Sequence, residues 1–151
     1  MSRQPIQPVS FGHSVALAQQ ALSGALAGAL SDAGSSADEW FALNTIALRG
    51  ATTPADVIRD ELLRAPGATA ASVDATLAQL TAAGLVADAS HGVEAVLTLT
   101  PDGAARHAAL SDTVRGLTAA MLTGLDPDAV ATATTVLRAV TDRANASSAA
   151  A

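Results

Sequence analysis

The chain of 151 residues contains no cysteine, no tyrosine and no lysine, so its full positive charges are eight arginines. Without cysteine there is no disulfide, no thiolate metal site and no thiol nucleophile. Aromatic residues are nearly missing as well: Trp40, Phe11 and Phe41 are the whole set. A core must therefore be built from Leu, Val, Ile and above all Ala. Ala has the highest helix propensity and its small side chain lets helices approach closely, so the composition predicts a mainly helical protein. Long apolar runs are missing too. The longest, about 15–30, is interrupted by Gln19, Gln20, Ser23, Gly24 and Gly28 and lacks the bulk of a membrane span. The start, MSRQPIQPVSFGHS, has no apolar centre of a secretion signal. A cytoplasmic protein with no membrane partner is the expectation.

Charge is short on one side. Fourteen acids against eight arginines leave a net charge of −6. Such a field repels DNA and anionic lipid at a distance, so binding to a polyanion has to come from a local patch. Catalytic signatures are missing: there is no P-loop, no GxGxxG, no Ser/His/Asp order and no paired-carboxylate motif. The three histidines, His13, His91 and His107, are dispersed without metal-ligand spacing. No enzyme, no cofactor and no metal site is expected.

What is present is helical punctuation. Residues 1 to about 8 read as an arm. From Val9 to Leu30 the pattern is helical, with Leu22, Leu26 and Leu30 in one i, i+4 row. Ser36-Ala37-Asp38-Glu39 has the spacing of a capping box and opens a helix with Trp40, Leu43, Ile46 and Ala47 inward, ending near Arg49-Gly50. Thr53-Pro54 starts a third helix, with Thr53 as cap and Val57, Ile58 and Leu62 inward. Thr69 caps a fourth, whose buried row is Val73, Leu77 and Leu80 and whose end is Gly84. Leu85-Val86 and Val96 to Leu99 are short β-prone runs joined by a polar tip, Asp88 to Glu94. Thr100-Pro101-Asp102 opens a fifth helix carrying Leu110, Val114, Leu117 and Met121. Asp126-Pro127-Asp128 opens the last, with Val130, Ala133, Leu137 and Val140 at spacings of 3 and 4, before a tail from Ser147 that should fray.

Four helices, a β-hairpin and two helices is the order of a winged helix-turn-helix with helices added at both ends. Over nearly the whole chain it resembles the MarR family of transcriptional regulators. Val73 to Val86, VDATLAQLTAAGLV, matches the family's recognition-helix pattern running into Gly-Leu-Val. Leu97 to Gly103, LTLTPDG, matches its strand ending in Leu-Thr-x-x-Gly, and Trp40 sits where the family often places an aromatic. The departures are electrostatic. Asp88 stands where the family usually has an Arg after Gly-Leu-Val, and the wing tip reads His91-Gly92-Val93-Glu94 in place of an Asp-x-Arg. The wing is also shorter and the link from Leu62 to Thr69 longer than usual.

The resemblance implies a mainly α fold with a small β-hairpin wing. The winged helix-turn-helix lobe would span about 36–100, with dimerisation helices at 1–34 and 102–146, in a single domain of 151 residues. It implies a homodimer that binds double-stranded DNA through a recognition helix at about 69–83 and a wing at about 85–99. Candidate DNA contacts are Thr69, Ser72, Ala75, Gln79 and His91, flanked by Arg49, Arg59, Arg64 and Arg106. Ser72 and Gln79 carry groups that hydrogen-bond to bases, Ala fits a thymine methyl, and Thr69 offers a hydroxyl at a helix N-terminus where a phosphate binds. A small-molecule effector is implied between the dimer helices and the lobe, near His13, Trp40 and His107. Between Ala65 and Ala105, however, there is no arginine, while Asp74, Asp88, Glu94 and Asp102 bring four negative charges. That keeps a second reading open: a winged-helix scaffold dimer that binds a protein or small ligand, with weak or lost DNA binding.

Overall fold

The order of elements in a computed structural model is α1 Pro8–Asp32, α2 Ala37–Arg49, α3 Ala55–Leu62, α4 Ala70–Ala82, β1 Val86–Asp88, β2 Leu97–Leu99, α5 Pro101–Leu122 and α6 Pro127–Ala149. The structure describes residues 8–50, 53–65, 67–88 and 95–149. The N-terminal arm before Pro8 and the wing tip, with His91, lie outside the described residues. The chain divides into two compact units, one up to Leu117 and one from Thr118. Among the described residues no helix is long and apolar enough to cross a membrane.

In the first unit the core is Leu30 of α1, Ala42, Leu43 and Ile46 of α2, Ile58 and Leu62 of α3, Val73, Leu77 and Leu80 of α4, Val86 of β1 and Leu110 of α5. All are aliphatic, as the shortage of aromatics requires. Two expected core positions are corrected. Ala47 is exposed because α2 centres its inner stripe on Ala42, Leu43 and Ile46, and the next residue turns out by one step of the helix. Val57 is exposed for the same reason, one step from buried Ile58.

The caps explain where each helix begins. The Ser36 hydroxyl accepts from the Glu39 N–H at 3.1 Å, the first half of a capping box. The Glu39 carboxylate turns instead to Arg106. For α3 the expected cap is corrected. The Thr53 hydroxyl donates to the Arg49 carbonyl at 2.9 Å, finishing α2, and Pro54 stands at the start of α3 without a side-chain bond. The backbone there is satisfied by the hairpin: the Ala55 N–H donates to the Ala95 carbonyl at 2.8 Å and Pro54 bridges to Val96.

Helix α4 is closed at both ends. Thr69 and Ser72 form a reciprocal capping box. At the other end Gly84 takes φ 71°, which an L side chain resists, and the Leu85 N–H reaches back to the Leu80 carbonyl at 3.0 Å while the Gly84 N–H bonds Thr81. This is a Schellman closure, and it aims the chain into β1. The hairpin is antiparallel, pairing Val86 with Leu99, Ala87 with Thr98 and Asp88 with Leu97.

The Leu-Thr-x-x-Gly motif becomes a joint. The Thr100 hydroxyl accepts from the Gly103 N–H at 3.0 Å, capping α5, and donates to the Gly84 carbonyl at 2.7 Å. Gly103 is buried so tightly that a Cβ there would lie 1.9 Å from the Leu85 carbonyl oxygen. The start of α5 and the end of α4 are thus locked face to face. In the second unit, Asp126 accepts from the Asp128 N–H and α6 runs to Ala149, further than the fraying tail expected from Ser147.

Candidate nucleic-acid interface

Helix α4 has two unlike faces. Val73, Leu77 and Leu80 face the core, and Ala71, Ala75, Ala78 and Ala82 stand exposed on the opposite side. Spacing of 4, 3 and 4 makes these alanines one continuous row of methyl groups. The outward row therefore carries no hydrogen-bonding group. Polar residues flank it. Gln79 lies towards α2, lining a cleft with Asp38, Glu39 and Arg106. Asp74 and Thr81 lie towards a groove formed by α3, α4 and the hairpin, with Arg59 and Asp88 on its walls.

Most polar groups of α4 are already engaged. The Ser72 hydroxyl donates to the Thr69 carbonyl at 2.9 Å and accepts from the Thr69 N–H at 3.0 Å. The Thr76 and Thr81 hydroxyls donate to carbonyls one turn back. Thr69 is different: its Oγ1 accepts from the Ser72 N–H at 3.1 Å, which leaves its own proton to give. Among the described residues of this helix, Thr69 and Gln79 therefore hold the available donors.

The arginines are placed unequally. Arg49 donates to Glu61 at 2.6 Å, joining α2 to α3. Arg59 of α3 pairs with Asp74 of α4, both about half exposed. Arg106 is held most firmly. Its Nε donates to Glu39 at 2.9 Å, Nη2 to the Gly34 carbonyl at 2.7 Å and Nη1 to the Ala33 carbonyl at 3.3 Å, which ties α5 to the turn between α1 and α2. The Arg64 side chain is exposed after α3 and has no carboxylate partner among the described residues. Sequence reading found these four arginines but not their partners, since Arg59 and Asp74 are 15 residues apart and Arg106 and Glu39 are 67 apart.

The three residues expected at an effector site are not equally placed. His107 Nε2 lies 3.1 Å from Asn44 Oδ1 of α2 and 3.2 Å from Ser111 Oγ of α5. Trp40, one turn before Asn44, packs against the core, and its indole Nε1 is buried with no acceptor among the described residues. His13 is exposed on α1 and takes no part in this network. Asn44 and Ser111 are the residues that sequence reading missed. Their one signal was helical spacing, four residues from Trp40 and from His107.

No protein-family model and no curated protein matches the chain. Solved structures do match. A MarR-family transcriptional regulator from Rhodococcus sp. RHA1 superposes with a TM-score of 0.72 at 14% identity, covering 91% of this chain and 96% of that one. A MarR-family protein of Mycobacterium tuberculosis, in complex with p-aminosalicylic acid, gives 0.71 at 23% identity over 91% and 98%. BpsR of Bordetella bronchiseptica, whose DNA binding is regulated by 6-hydroxynicotinic acid, gives 0.66 at 23% over 94% and 98%. The chain has the winged-helix fold of MarR-family regulators, along almost its whole length.

Proposed function

We propose that the chain is a DNA-binding transcriptional regulator of the MarR type, acting in the cytoplasm as a homodimer. The observation that carries this reading is the position of α4: an exposed helix, capped at Thr69, held between α3 and a hairpin in a fold shared with DNA-binding regulators. Thr69 and the α4 N-terminus bind phosphate, Gln79 reads a base edge, and Ala75 with its neighbouring methyls rests on thymine methyls. Arg59 and Arg64 supply cations at the flank, and Arg49 lies further back on its pair with Glu61. Ser72 serves the DNA by building the cap rather than by touching bases. Arg106 serves by holding α5 to α2. His91 belongs to the wing tip.

A phosphate can displace the carboxylates that hold the arginines, because exposed ion pairs contribute only about 0–1 kcal/mol. With so few cations, binding should be weak and strongly dependent on salt. A mobility-shift titration against DNA upstream of its own gene tests this. Specific retardation at low salt that fades at moderate salt is expected; no specific retardation at low salt overturns the reading.

The homodimer is supported by exposed apolar side chains on the terminal helices: Val15, Leu17 and Leu22 on α1, and Val136, Leu137 and Val140 on α6. Light scattering at micromolar concentration should give twice the chain mass, and a monomer contradicts the assignment. An aromatic carboxylate, the ligand class of two of the matching regulators, is the proposed effector. The unpartnered Trp40 N–H would give such an acid a donor. Because Trp40 is the sole tryptophan, a salicylate titration read by intrinsic fluorescence reports directly on it.

One observation favours a second reading, a winged-helix scaffold without DNA binding. Arg49, Arg59 and Arg106, three of the four flanking arginines, are already paired with carboxylates. The same mobility-shift experiment separates the two.

A further inference from the structure

The Arg59–Asp74 pair joins the two helices of the helix-turn-helix itself. It differs from the other ion pairs in where its acid sits. Glu61, Glu39 and, in the Arg115–Asp112 pair, Asp112 lie on α3, α2 and α5, whereas Asp74 belongs to α4, on the edge of its exposed face. Both partners are open to solvent, at 49% and 48%, so the pair is built for exchange rather than for burial. A carboxylate and a phosphate both accept the N–H groups of a guanidinium, so they compete for the same donors. Resting on the DNA-binding reading, we propose that Asp74 is an internal competitor for phosphate. It neutralises Arg59 in the free protein and so sets the ionic strength above which the chain ignores DNA.

The physics is simple. An arginine paired with its own aspartate carries no net charge towards the duplex and displaces no condensed counterion. Contact with a phosphate requires the carboxylate to let go, and the carboxylate then stands as a like charge beside the backbone. Both effects weaken binding to any sequence equally. A helix whose outward row is methyl groups has little base readout of its own. For such a helix, an equal weakening leaves its modest preference for one site unchanged and keeps the chain off bulk DNA at moderate salt.

The test is a double-mutant cycle with the full chain, titrating a labelled random-sequence duplex by fluorescence anisotropy across a salt series. The proteins are wild type, Asp74→Asn, Arg59→Gln and the double variant. Asp74→Asn should bind up to about five-fold tighter per protomer at low salt. Its salt dependence should steepen by about 0.9 in log–log slope per protomer, one more phosphate neutralised. In the Arg59→Gln background the same Asn substitution should lose most of that gain. A gain that persists undiminished without Arg59 overturns the proposal, because the effect is then bare repulsion by Asp74. Binding by all four proteins with no effect of Asp74→Asn also overturns it and leaves the DNA-binding reading intact. Absence of binding by all four at low salt removes that reading and the competitor with it. Circular dichroism melting confirms that each variant is folded, as expected for substitutions at two exposed positions.

Discussion

The two faces of α4 obey different rules. Inward, Val73, Leu77 and Leu80 are large, aliphatic and buried, and each meets a defined neighbourhood. Outward, Ala71, Ala75, Ala78 and Ala82 offer the least a residue can offer while still carrying a Cβ. The inner face is determined by packing, which penalises nearly any change. The outer face is constrained only by what approaches it. The contrast teaches that a winged-helix plan can be complete in its scaffold and still leave the exposed face of α4 almost blank.

Substitutions should break that contrast in graded steps. Leu80→Ala should be the most destabilising, by about 3 kcal/mol, through the cavity it leaves in the inner face. Chemical denaturation with an unchanged m-value checks it. Gly103→Ala should follow at about 2–3 kcal/mol, since its Cβ would overlap the Leu85 carbonyl and force α5 off the hairpin. Thr69→Ala should lower stability by about 1 kcal/mol through loss of the α4 cap. Ala75→Ser, on the outer face, should change stability by no more than about 0.5 kcal/mol. An outer-face substitution as damaging as Leu80→Ala would mean that the methyl row is packed against something, and the contrast would collapse.

Much of this fold was legible because it is local. Caps at Ser36, Thr69 and Thr100, the Gly84 stop and the Val73–Leu77–Leu80 row all depend on residues within a few positions of one another. Where the reading failed, a single helical step or a distant partner decided. Val57 and Ile58 are adjacent and both apolar, and periodicity over an eight-residue helix does not say which one is buried. The Thr53 hydroxyl turned back to α2 because the hairpin had taken over the start of α3. The candidate site was the least legible part. Its residues could be named, but whether an arginine is available or engaged depends on carboxylates far along the chain, which spacing does not reveal. Gly103 was recognised as part of a motif, and only the fold shows that the motif is a joint without clearance.

The row of methyls on α4 also sets a girth. A helix with ordinary side chains is about 10–12 Å across, and a major groove is about 12 Å wide and 8.5 Å deep. Dressed in alanine, α4 is slimmer on its leading side, so its main chain can sink closer to the floor of any furrow that admits it. Along that row of methyls no long side chain extends outward. Depth of entry would replace reach, and the walls of the furrow would then close on the residues at its shoulders, Thr69 on the rim and Arg59 beside it.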